Sequence, residues 1–549
     1  MLWTLIGIII GTAILAWTLF SKNKLCSIGE ISRKYYITVM AILFGVFTFL
    51  LFYRVDEIPI PWHVDEAGMI YDAKSIIKYH CDRFLYRFPV HFINFGGGQN
   101  ALYTYLAAIT IKLFGYSKLT VRIPAIILSL LSVPVFVQPI RKEKGRLASI
   151  IAITAFCFLP YSIMHSRWAL ESYLLFPMMV FSNGMFYHAV KEEKTIWFIF
   201  SGILYGITLY TYAISYLIIP PLLAFLIIYL LWIRKIKWKH VLAMGIPLFF
   251  LALPLILFLA VNNGLIDEIK TRFFSIPKLF EYRGGMISLE NIVNNLSFTN
   301  KNFFYRTFVD DKAIFGVIPK FGTMYYFTLP LLFFGLFISF RICTISFRNR
   351  EFSLDLLMIC SFFITLFMLL LVREASINRV CALFIPLIYF LAIAVFEIIK
   401  RNKYNIFILI SVFLLSFGSF IHYYFTDFSK DLLTNSMIGP YDDLEQALNF
   451  AETVYKNNGE MTYILDGVQP YIYTLLILDV DPYTFNERKI TYTYDNWVKI
   501  YDRYRFELDK IMPECIYIFR ESYRIPEDID KYGFEKAEFG TVTVYYPPS

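Results

Sequence analysis

ITVMAILFGVFTFLLFY (Ile37–Tyr53) is an apolar run of 17 residues, and PIPWHVDEAGMIYDAKSI (Pro59–Ile76) follows it closely. About 20 apolar residues span the hydrocarbon core of a bilayer as a helix. The first stretch therefore predicts a membrane-spanning helix. The second places two adjacent carboxylates, Asp65 and Glu66, where the chain leaves the membrane. The side of the membrane on which they lie decides what they can do.

The composition predicts a polytopic membrane protein. Of the 549 residues, 58% are hydrophobic and only 17% are charged, whereas about a quarter of an average soluble protein is charged. A backbone in lipid must satisfy its own hydrogen bonds, which favours helices. We therefore predict a polytopic α-helical membrane fold of about twelve transmembrane helices. The spans are 2–20, 37–53, 119–140, 147–163, 172–190, 195–212, 214–233, 241–261, 325–340, 353–371, 379–399 and 405–426.

The basic residues predict the orientation of these helices. Every second short loop between the spans is rich in Lys and Arg, and such loops stay in the cytoplasm. The first span has no Lys or Arg before it and two lysines soon after it, so we expect an uncleaved helix with its N-terminus outside. The large loops 54–118 and 262–324 and the tail after about 427 are then extracytoplasmic. The net charge of +8 is explained by these loops, and nothing supports nucleic-acid binding.

The tail, 427–549, is polar and aromatic and predicts a small soluble α/β domain outside the membrane. Helical periodicity runs through Asp442–Tyr455, and strand-like runs occur in MTYILDG, CIYIFRE and TVTVYY. The predicted domains are thus an extra helix and loop at 1–36, a membrane module at 37–426 and the soluble domain. Cys81 and Cys515 both fall outside the membrane, so a disulfide between them is allowed but not required.

The Asp65-Glu66 pair has two interpretations. An acidic pair in an outer loop is more often a solvated helix end than a catalytic site. Here, however, Trp62, His63 and Tyr71 flank the pair. A carboxylate held among such groups at the lipid boundary suits a general base.

A second cluster, MHSRWALESY, occupies the short outer turn from Met164 to Tyr173. The turn keeps His165, Arg167 and Glu171 at the membrane surface. Arg167 and Glu171 are spaced i,i+4, so on one helix they would pair with each other. The alternative is that the forked guanidinium of Arg167 binds a phosphate.

A third cluster, REASINRV, precedes the span 379–399. Arg379 stands at the predicted start of that helix, where the helix dipole disfavours a cation unless an anion is present. The two interpretations are a bound anion and a side chain that extends to the lipid headgroups.

Four motifs together resemble the C-type (GT-C) polyprenyl-phosphate-dependent glycosyltransferases, which include protein O-mannosyltransferases and the lipid A aminoarabinose transferase. They are HVDEAGMIYDA, LYTYLAAITIKLFG with VRIPAII, SRWALESY, and INRVCALFIPLIYFLAIAV. Their order and common outward topology carry the resemblance across most of residues 55–400. The extra helix at 2–20 departs from the usual arrangement, in which the first helix leads directly to the acidic loop.

The resemblance implies an inverting transferase that moves a sugar from a polyprenyl phosphate to an extracytoplasmic glycan, lipid or protein. It implies that Asp65 is the catalytic base or the acid that positions the acceptor, with Glu66 beside it in the motif, and that Arg167 and Arg379 are candidates to bind the donor phosphate. We expect the remaining substrate contacts to come from His63, Tyr71, His165 and Glu171. The Lys-, Ile-, Phe- and Tyr-rich composition indicates an AT-rich bacterial genome, for which the carrier is undecaprenyl phosphate.

No cofactor is expected. Some members of the resembling superfamily use a divalent cation, and the candidate ligands here are His63, Asp65, Glu66, His80 and His91. These residues lack a fixed ligand spacing, so a metal is not supported.

The long loop at 262–324 is expected to act as a gate over a substrate cleft. Its charged and tyrosine residues include Arg272, Arg283, Tyr305, Arg306, Asp310 and Asp311.

Two rival functions remain. A transporter or lipid flippase should carry ionisable or broken-helix positions near the middle of its spans, and these spans are nearly free of charge at their centres. A scaffold protein whose outer domain binds a partner would tolerate loss of the Asp65 carboxylate, whereas an enzyme would not.

Overall fold

Long helices dominate the chain, and short strands are concentrated towards its C-terminus. The computed structural model describes residues 2–20, 31–59, 62–95, 97–282, 288–299, 316–373, 376–433, 438–455, 460–467, 469–491, 498–520, 525–526 and 529–548. The α-helices are α1 (Leu2–Phe20), α2 (Arg33–Phe52), α3 (Val64–Tyr79), α4 (Ala101–Phe114), α5 (Lys118–Phe158), α6 (Pro160–Ser166), α7 (Glu171–Glu192), α8 (Thr195–Thr208), α9 (Ser215–Trp232), α10 (Trp238–Asn262), α11 (Asn291–Thr299), α12 (Thr328–Arg348), α13 (Leu354–Leu371), α14 (Phe384–Arg401), α15 (Asn405–Thr426), α16 (Phe428–Leu432), α17 (Tyr441–Val454), α18 (Tyr471–Ile477) and α19 (Pro482–Arg488). The strands are β1 (Trp62–His63), β2 (His91–Asn94), β3 (Gly97–Asn100), β4 (Ile269–Lys270), β5 (Ser275–Ile276), β6 (Ile438–Gly439), β7 (Thr462–Leu465), β8 (Lys489–Thr491), β9 (Val498–Tyr501), β10 (Tyr504–Arg505), β11 (Ile516–Arg520), β12 (Glu535–Phe539) and β13 (Val542–Tyr546).

Eight helices in the described part of the chain are long and apolar enough to cross a membrane, which confirms a polytopic helical membrane protein. The sequence predicted about twelve spans. Two of those, 119–140 and 147–163, lie largely in the 41-residue α5, where Gly145 (φ +90°) breaks the helical backbone between them. The predicted span 2–20 forms α1, an apolar helix of 19 residues. The predicted spans 172–190 and 195–212 form α7 and α8. α8 has 14 residues, too few for a full crossing, and α7 is long enough but less apolar than the eight.

The first compact unit contains most of the long helices and comprises residues 1–53, 122–253 and 284–424. Charged pairs join the helix ends at its basic loops. Lys144 of α5 lies 2.7 Å from the buried carboxylate of Asp355 in α13, and Lys191 of α7 lies 3.1 Å from Glu143. Asp355 is fully buried and a buried charge needs a partner, so the contact with Lys144 links α5 to α13.

The second compact unit comprises residues 54–121, 254–283 and 425–549. It holds α3, α4 and a mixed sheet whose described strands follow the order β12-β13-β11-β7-β10-β9-β8. Strand β7 pairs in parallel with both β10 and β11. Tyr463 and Leu465 alternate along β7 and pack with Tyr517 and Phe519 of β11 in one hydrophobic core. The strand-like runs and the helix predicted in the tail are all present.

One sequence prediction is not met by the structure, and several others are not tested by it. Cys81 and Cys515 are both buried free thiols, so the allowed disulfide between them is not formed. The domain boundaries predicted after residues 36 and 426 stay a prediction. Of the long loop, Arg272 is described and exposed. The other residues named for the proposed gate, Arg283, Tyr305, Arg306, Asp310 and Asp311, lie outside the described residues.

Candidate active site

Asp65 and Glu66 lie in the first turn of α3, and His63 is its N-cap. The Nδ1 atom of His63 accepts a hydrogen bond from the backbone N–H of Asp65 at 3.1 Å. In return, the Glu66 carboxylate accepts one from the backbone N–H of His63 at 3.1 Å. This reciprocal pair is a capping box with histidine in the place of the usual Ser or Thr. Both carboxylates also complement the positive end of the helix dipole.

These three side chains differ sharply in exposure. Glu66 is fully buried, whereas the side chain of His63 is 2% exposed and that of Asp65 is 41% exposed. Burial lowers the pKa of His63, although the nearby charges of Asp65 and Glu66 oppose that shift. A neutral imidazole can accept at Nδ1, as the cap requires. Glu66 and His63 therefore build the helix start, and Asp65 is the carboxylate that a substrate can reach.

A β-hairpin supplies the polar partners of Asp65. Strands β2 and β3 pair antiparallel, with Asn94 opposite Gly97. The side-chain amide of Asn94 donates to Asp65 Oδ1 at 3.1 Å, and Gln99 Nε2 lies 3.5 Å from the Asp65 backbone carbonyl. The second carboxylate oxygen is 3.6 Å from His63 Nδ1, which is too long for a hydrogen bond. One oxygen of Asp65 is thus held while the other remains available to accept a proton.

A buried ion pair stands behind Asn94. Arg83 and Asp72 are both essentially inaccessible, and the guanidinium contacts the carboxylate through Nη2 at 2.7 Å and through Nε at 3.1 Å. The same Nη2 donates to the Asn94 side-chain oxygen at 3.1 Å, and Nη1 lies 3.4 Å from the hydroxyl of Tyr471. A bidentate Arg–carboxylate pair has a well-defined geometry. The contact with Arg83 fixes which end of the Asn94 amide faces Asp65.

Gly68 makes room for this arrangement. A Cβ atom at Gly68 would lie 2.6 Å from both Arg83 Nη2 and the side-chain oxygen of Asn94, closer than non-bonded atoms approach. The glycine of the DEAG sequence therefore allows the guanidinium and the amide to pack against the backbone of α3.

Residues from the C-terminal part of the chain hold the segment around Asp65. Strand β1 pairs antiparallel with β6, and the Tyr473 hydroxyl donates to the Trp62 carbonyl at 3.0 Å. Tyr71, predicted to contact substrate, is buried and donates to the carbonyl of Val480 at 2.8 Å. In this structure, Tyr71 joins α3 to the segment after α18.

Arg167 takes a position that neither sequence interpretation anticipated. It ends α6, whereas Glu171 begins α7, so the two residues do not share one helix. The fully buried guanidinium donates to the carbonyls of Leu51 at 2.9 Å and Tyr53 at 2.8 Å. These carbonyls end α2, where a cation complements the helix dipole. Arg167 is therefore a C-terminal cap of α2.

His165, Glu171 and Arg379 are placed as follows. His165 is buried, stacks on Tyr173 with ring centres 3.9 Å apart, and contacts the Gly316 carbonyl at 2.9 Å. Glu171 is half-buried at the start of α7. Arg379, also half-buried, lies in the turn before α14 rather than at its start.

Tyr212 links two of these groups. Arg379 and Glu171 both lie close enough to Tyr212 for their charges to act on it. The structure thus brings Glu171 and Arg379 towards the same tyrosine, which the sequence did not single out.

The described residues contain no cluster of side chains that supports metal binding. No group of three or more His, Cys, Asp or Glu side chains comes together there in a way that could hold an ion. The absence of a cofactor stays a prediction.

Sequence reasoning missed Asn94, Arg83 and Asp72. Asn94 lies 29 positions from Asp65, and Arg83 lies 11 positions from both Asp72 and Asn94. Spacing alone does not indicate such contacts.

The chain is similar to known glycosyltransferases. Residues 100–258 match the family described as dolichyl-phosphate-mannose-protein mannosyltransferase. Among solved structures, ArnT from Cupriavidus metallidurans in the apo state matches with a TM-score of 0.53 and 12% identity, over 93% of this chain and 100% of that one. The same protein bound to undecaprenyl phosphate matches with a TM-score of 0.50 and 12% identity, over 94% and 100%.

A more distant similarity is to the oligosaccharyltransferase of Archaeoglobus fulgidus, with a TM-score of 0.44, 12% identity, and coverage of 81% of this chain and 64% of that one. The comparison with curated protein sequences gives no match. The two ArnT alignments show a shared fold across nearly the whole chain. With the family match, they confirm the resemblance to C-type glycosyltransferases drawn from the sequence motifs.

Proposed function

We propose that this membrane protein is an inverting glycosyltransferase that moves a sugar from a polyprenyl-phosphate donor to an acceptor hydroxyl outside the cytoplasm. The observation that carries the proposal is the half-exposed carboxylate of Asp65, held on one oxygen by Asn94 in a chain with the ArnT fold. An accessible, oriented carboxylate is what a general base requires.

The proposed reaction consists of one proton transfer and one nucleophilic substitution at the anomeric carbon. Asp65 takes the proton of the acceptor hydroxyl through its second carboxylate oxygen. The acceptor oxygen forms a bond to the anomeric carbon as the bond from that carbon to the phosphate oxygen breaks. Attack opposite the leaving group inverts the anomeric configuration, and polyprenyl phosphate leaves as an anion. Its negative charge grows during the step, so cationic donors near the phosphate accelerate it.

We assign the donor phosphate to Arg379 rather than to Arg167. The Arg167 guanidinium is fully buried and already donates to the last carbonyls of α2, and a phosphate would have to displace those bonds. Arg379 is only half-buried, and its forked guanidinium matches the geometry of a phosphate.

The orientation and the carrier follow from the sequence and from the ArnT similarity. Basic loops stay in the cytoplasm, and this rule supports a position of Asp65 and the C-terminal sheet outside, at the plasma membrane. The ArnT structure with a TM-score of 0.50 holds undecaprenyl phosphate, and we propose the same class of carrier here. The acceptor is a cell-surface glycan, lipid or protein.

The test is turnover by the purified protein in lipid. Undecaprenyl-phosphate sugars of several kinds are supplied with water, simple glycans and lipid acceptors, and the release of undecaprenyl phosphate is followed. We expect release with at least one donor and a product whose anomeric configuration, read by NMR, is opposite to that of the donor. A folded protein that neither binds nor turns over any donor, or a product with retained configuration, contradicts the proposal.

A further inference from the structure

The contact between Asn94 and Asp65 has a feature that a simple loop hydrogen bond lacks. Asn94 is buried, with an exposed fraction of 8%, yet its amide reaches the carboxylate of Asp65, whose side chain is 41% exposed. An amide can present either its oxygen or its nitrogen, and only the nitrogen donates. The surrounding structure must therefore orient the Asn94 amide so that its nitrogen faces Asp65.

Arg83 makes that selection. A guanidinium only donates, and Arg83 Nη2 lies 3.1 Å from the Asn94 oxygen. The oxygen is therefore committed to Arg83, and the nitrogen, 3.1 Å from Asp65 Oδ1, faces the carboxylate. The reverse orientation would place the amide oxygen against Asp65 and the amide nitrogen against a cation, so both contacts would become repulsive.

Arg83 is itself fixed on several sides. Asp72 accepts from its Nε and Nη2, and also from its backbone N–H at 2.9 Å. The hydroxyl of Tyr471 lies 3.4 Å from Nη1, and the Arg83 carbonyl accepts from Asn486 at 2.7 Å. Because none of these groups moves independently, the position of the Asn94 amide is set before any substrate binds.

We propose that Asn94 is a positioning residue for Asp65, with its orientation set by the buried Arg83–Asp72 pair. The inference rests on the proposed function, in which Asp65 is the base. The Asn94 amide holds Oδ1, so that Oδ2 is the oxygen that accepts the acceptor's proton.

The test compares Asn94→Ala with Asn262→Ala in the full-length protein in lipid. Asn262 belongs to the same compact unit and also makes side-chain hydrogen bonds, donating to the carbonyls of Phe258 at 2.9 Å and Pro277 at 3.1 Å. Neither of these hydrogen bonds involves Asp65. Both variants lose a structural amide, and only Asn94→Ala loses the bond to the carboxylate.

For Asn94→Ala we expect kcat for undecaprenyl phosphate release to fall about 10- to 100-fold, because a misplaced catalytic group costs up to about 100-fold. The donor KM should change by less than about twofold, since removing an interaction made in the transition state lowers kcat rather than ground-state binding. Asn262→Ala should leave both kcat and the donor KM unchanged. Equal kcat values in the two variants, or an unchanged kcat in Asn94→Ala, would overturn the inference.

A second readout needs no turnover. An experimental structure of each variant in lipid gives the orientation of the Asp65 carboxylate. We expect the carboxylate to be rotated in Asn94→Ala and to keep its orientation in wild type and Asn262→Ala. If no donor is turned over but the carboxylate rotates, the proposed function fails and the Asn94 contact stands. If donors are turned over and the carboxylate keeps its orientation in Asn94→Ala, the positioning role is wrong and the proposed function survives.

Discussion

The side-chain amide of Asn94 donates to the Asp65 carboxylate across 3.1 Å, although the two residues lie 29 positions apart in the chain. A hairpin and a helix start meet at this contact. The hairpin brings a rigid donor, and the capped first turn of α3 brings the carboxylate. The site is therefore built by two local structures, each stabilised by its own hydrogen bonds.

The glycine that lets these structures approach gives a sharp prediction. Gly68→Ala should favour the helical state of α3 by up to about 1 kcal/mol through propensity. It should nevertheless lower the rate of polyprenyl phosphate release at least about tenfold, because the new Cβ would lie 2.6 Å from Arg83 and Asn94. The control is Gly418→Ala, where an added Cβ meets nothing within 4 Å. Equal activity of the two variants would show that the close approach does not matter.

Arg379 is expected to contact the donor phosphate. Arg379→Gln removes the charge and should raise the donor KM about 10- to 100-fold, the equivalent of a hydrogen bond to a charged group. Arg373→Gln, at an exposed position of the same turn, is the matched control and should leave the donor KM unchanged. Steady-state kinetics at varied donor concentrations gives the donor KM of each variant. Similar donor KM values in both variants would remove Arg379 from the phosphate site.

We expect Arg167 to stabilise the folded protein rather than to bind the donor phosphate. Arg167→Met leaves the carbonyls at the end of α2 without their donor, which costs about 1–3 kcal/mol for each buried group left unsatisfied. We expect a lower thermal unfolding temperature and a donor KM within about twofold of wild type. A variant of normal stability with a strongly raised donor KM would restore the phosphate role that the sequence motif implied.

Asp82 should make stability depend on pH. Its carboxylate accepts from the backbone N–H groups of Phe84 and Tyr86 at 2.9 and 2.8 Å. Burial, with a further contribution from Asp72, raises the pKa of Asp82 to about 8. The folded state therefore binds the proton more tightly than the unfolded chain does, for which the pKa is about 3.9. The resulting stabilisation is complete below about pH 4 and is lost as the pH rises through about 8.

Asp82→Asn tests this dependence, because its amide oxygen keeps an acceptor for both N–H groups and carries no titratable proton. Between about pH 6 and 9 the unfolding temperature of wild type should fall by at least about 2 °C, and the variant should show a smaller fall. The charges of Arg83 and Lys489 also act at this site, and both are retained in the variant. Identical slopes in the two proteins would assign the dependence to other groups.

The sequence predicted those parts of the structure that depend on local pattern. Apolar runs gave the helices, alternation gave β7, β11 and β13, and the position of the acidic pair gave the start of α3. The predicted separation of the spans 119–140 and 147–163 matches the break in helical backbone at Gly145, which lies between them.

The parts that were missed depend on long-range packing. Glu66 and Asp65 look alike in sequence, but only the fold buries Glu66 in the cap and leaves Asp65 accessible. The contact of Arg83 with Tyr471 joins residues 388 positions apart. Arg167 matched a phosphate-binding pattern, yet the end of α2, more than 110 positions earlier, takes its donors.

The central claim is that Asp65 is the base, and Asp65→Asn tests it most directly. The substitution keeps the size of the side chain and removes the carboxylate. Glu57→Gln is the matched control, since Glu57 is an exposed acid that pairs with Arg54 in the loop before α3. With the active donor and matched folding, we expect Asp65→Asn to lose about 100-fold or more in the release of polyprenyl phosphate, and Glu57→Gln to match wild type. Equal turnover by Asp65→Asn and wild type would contradict the account.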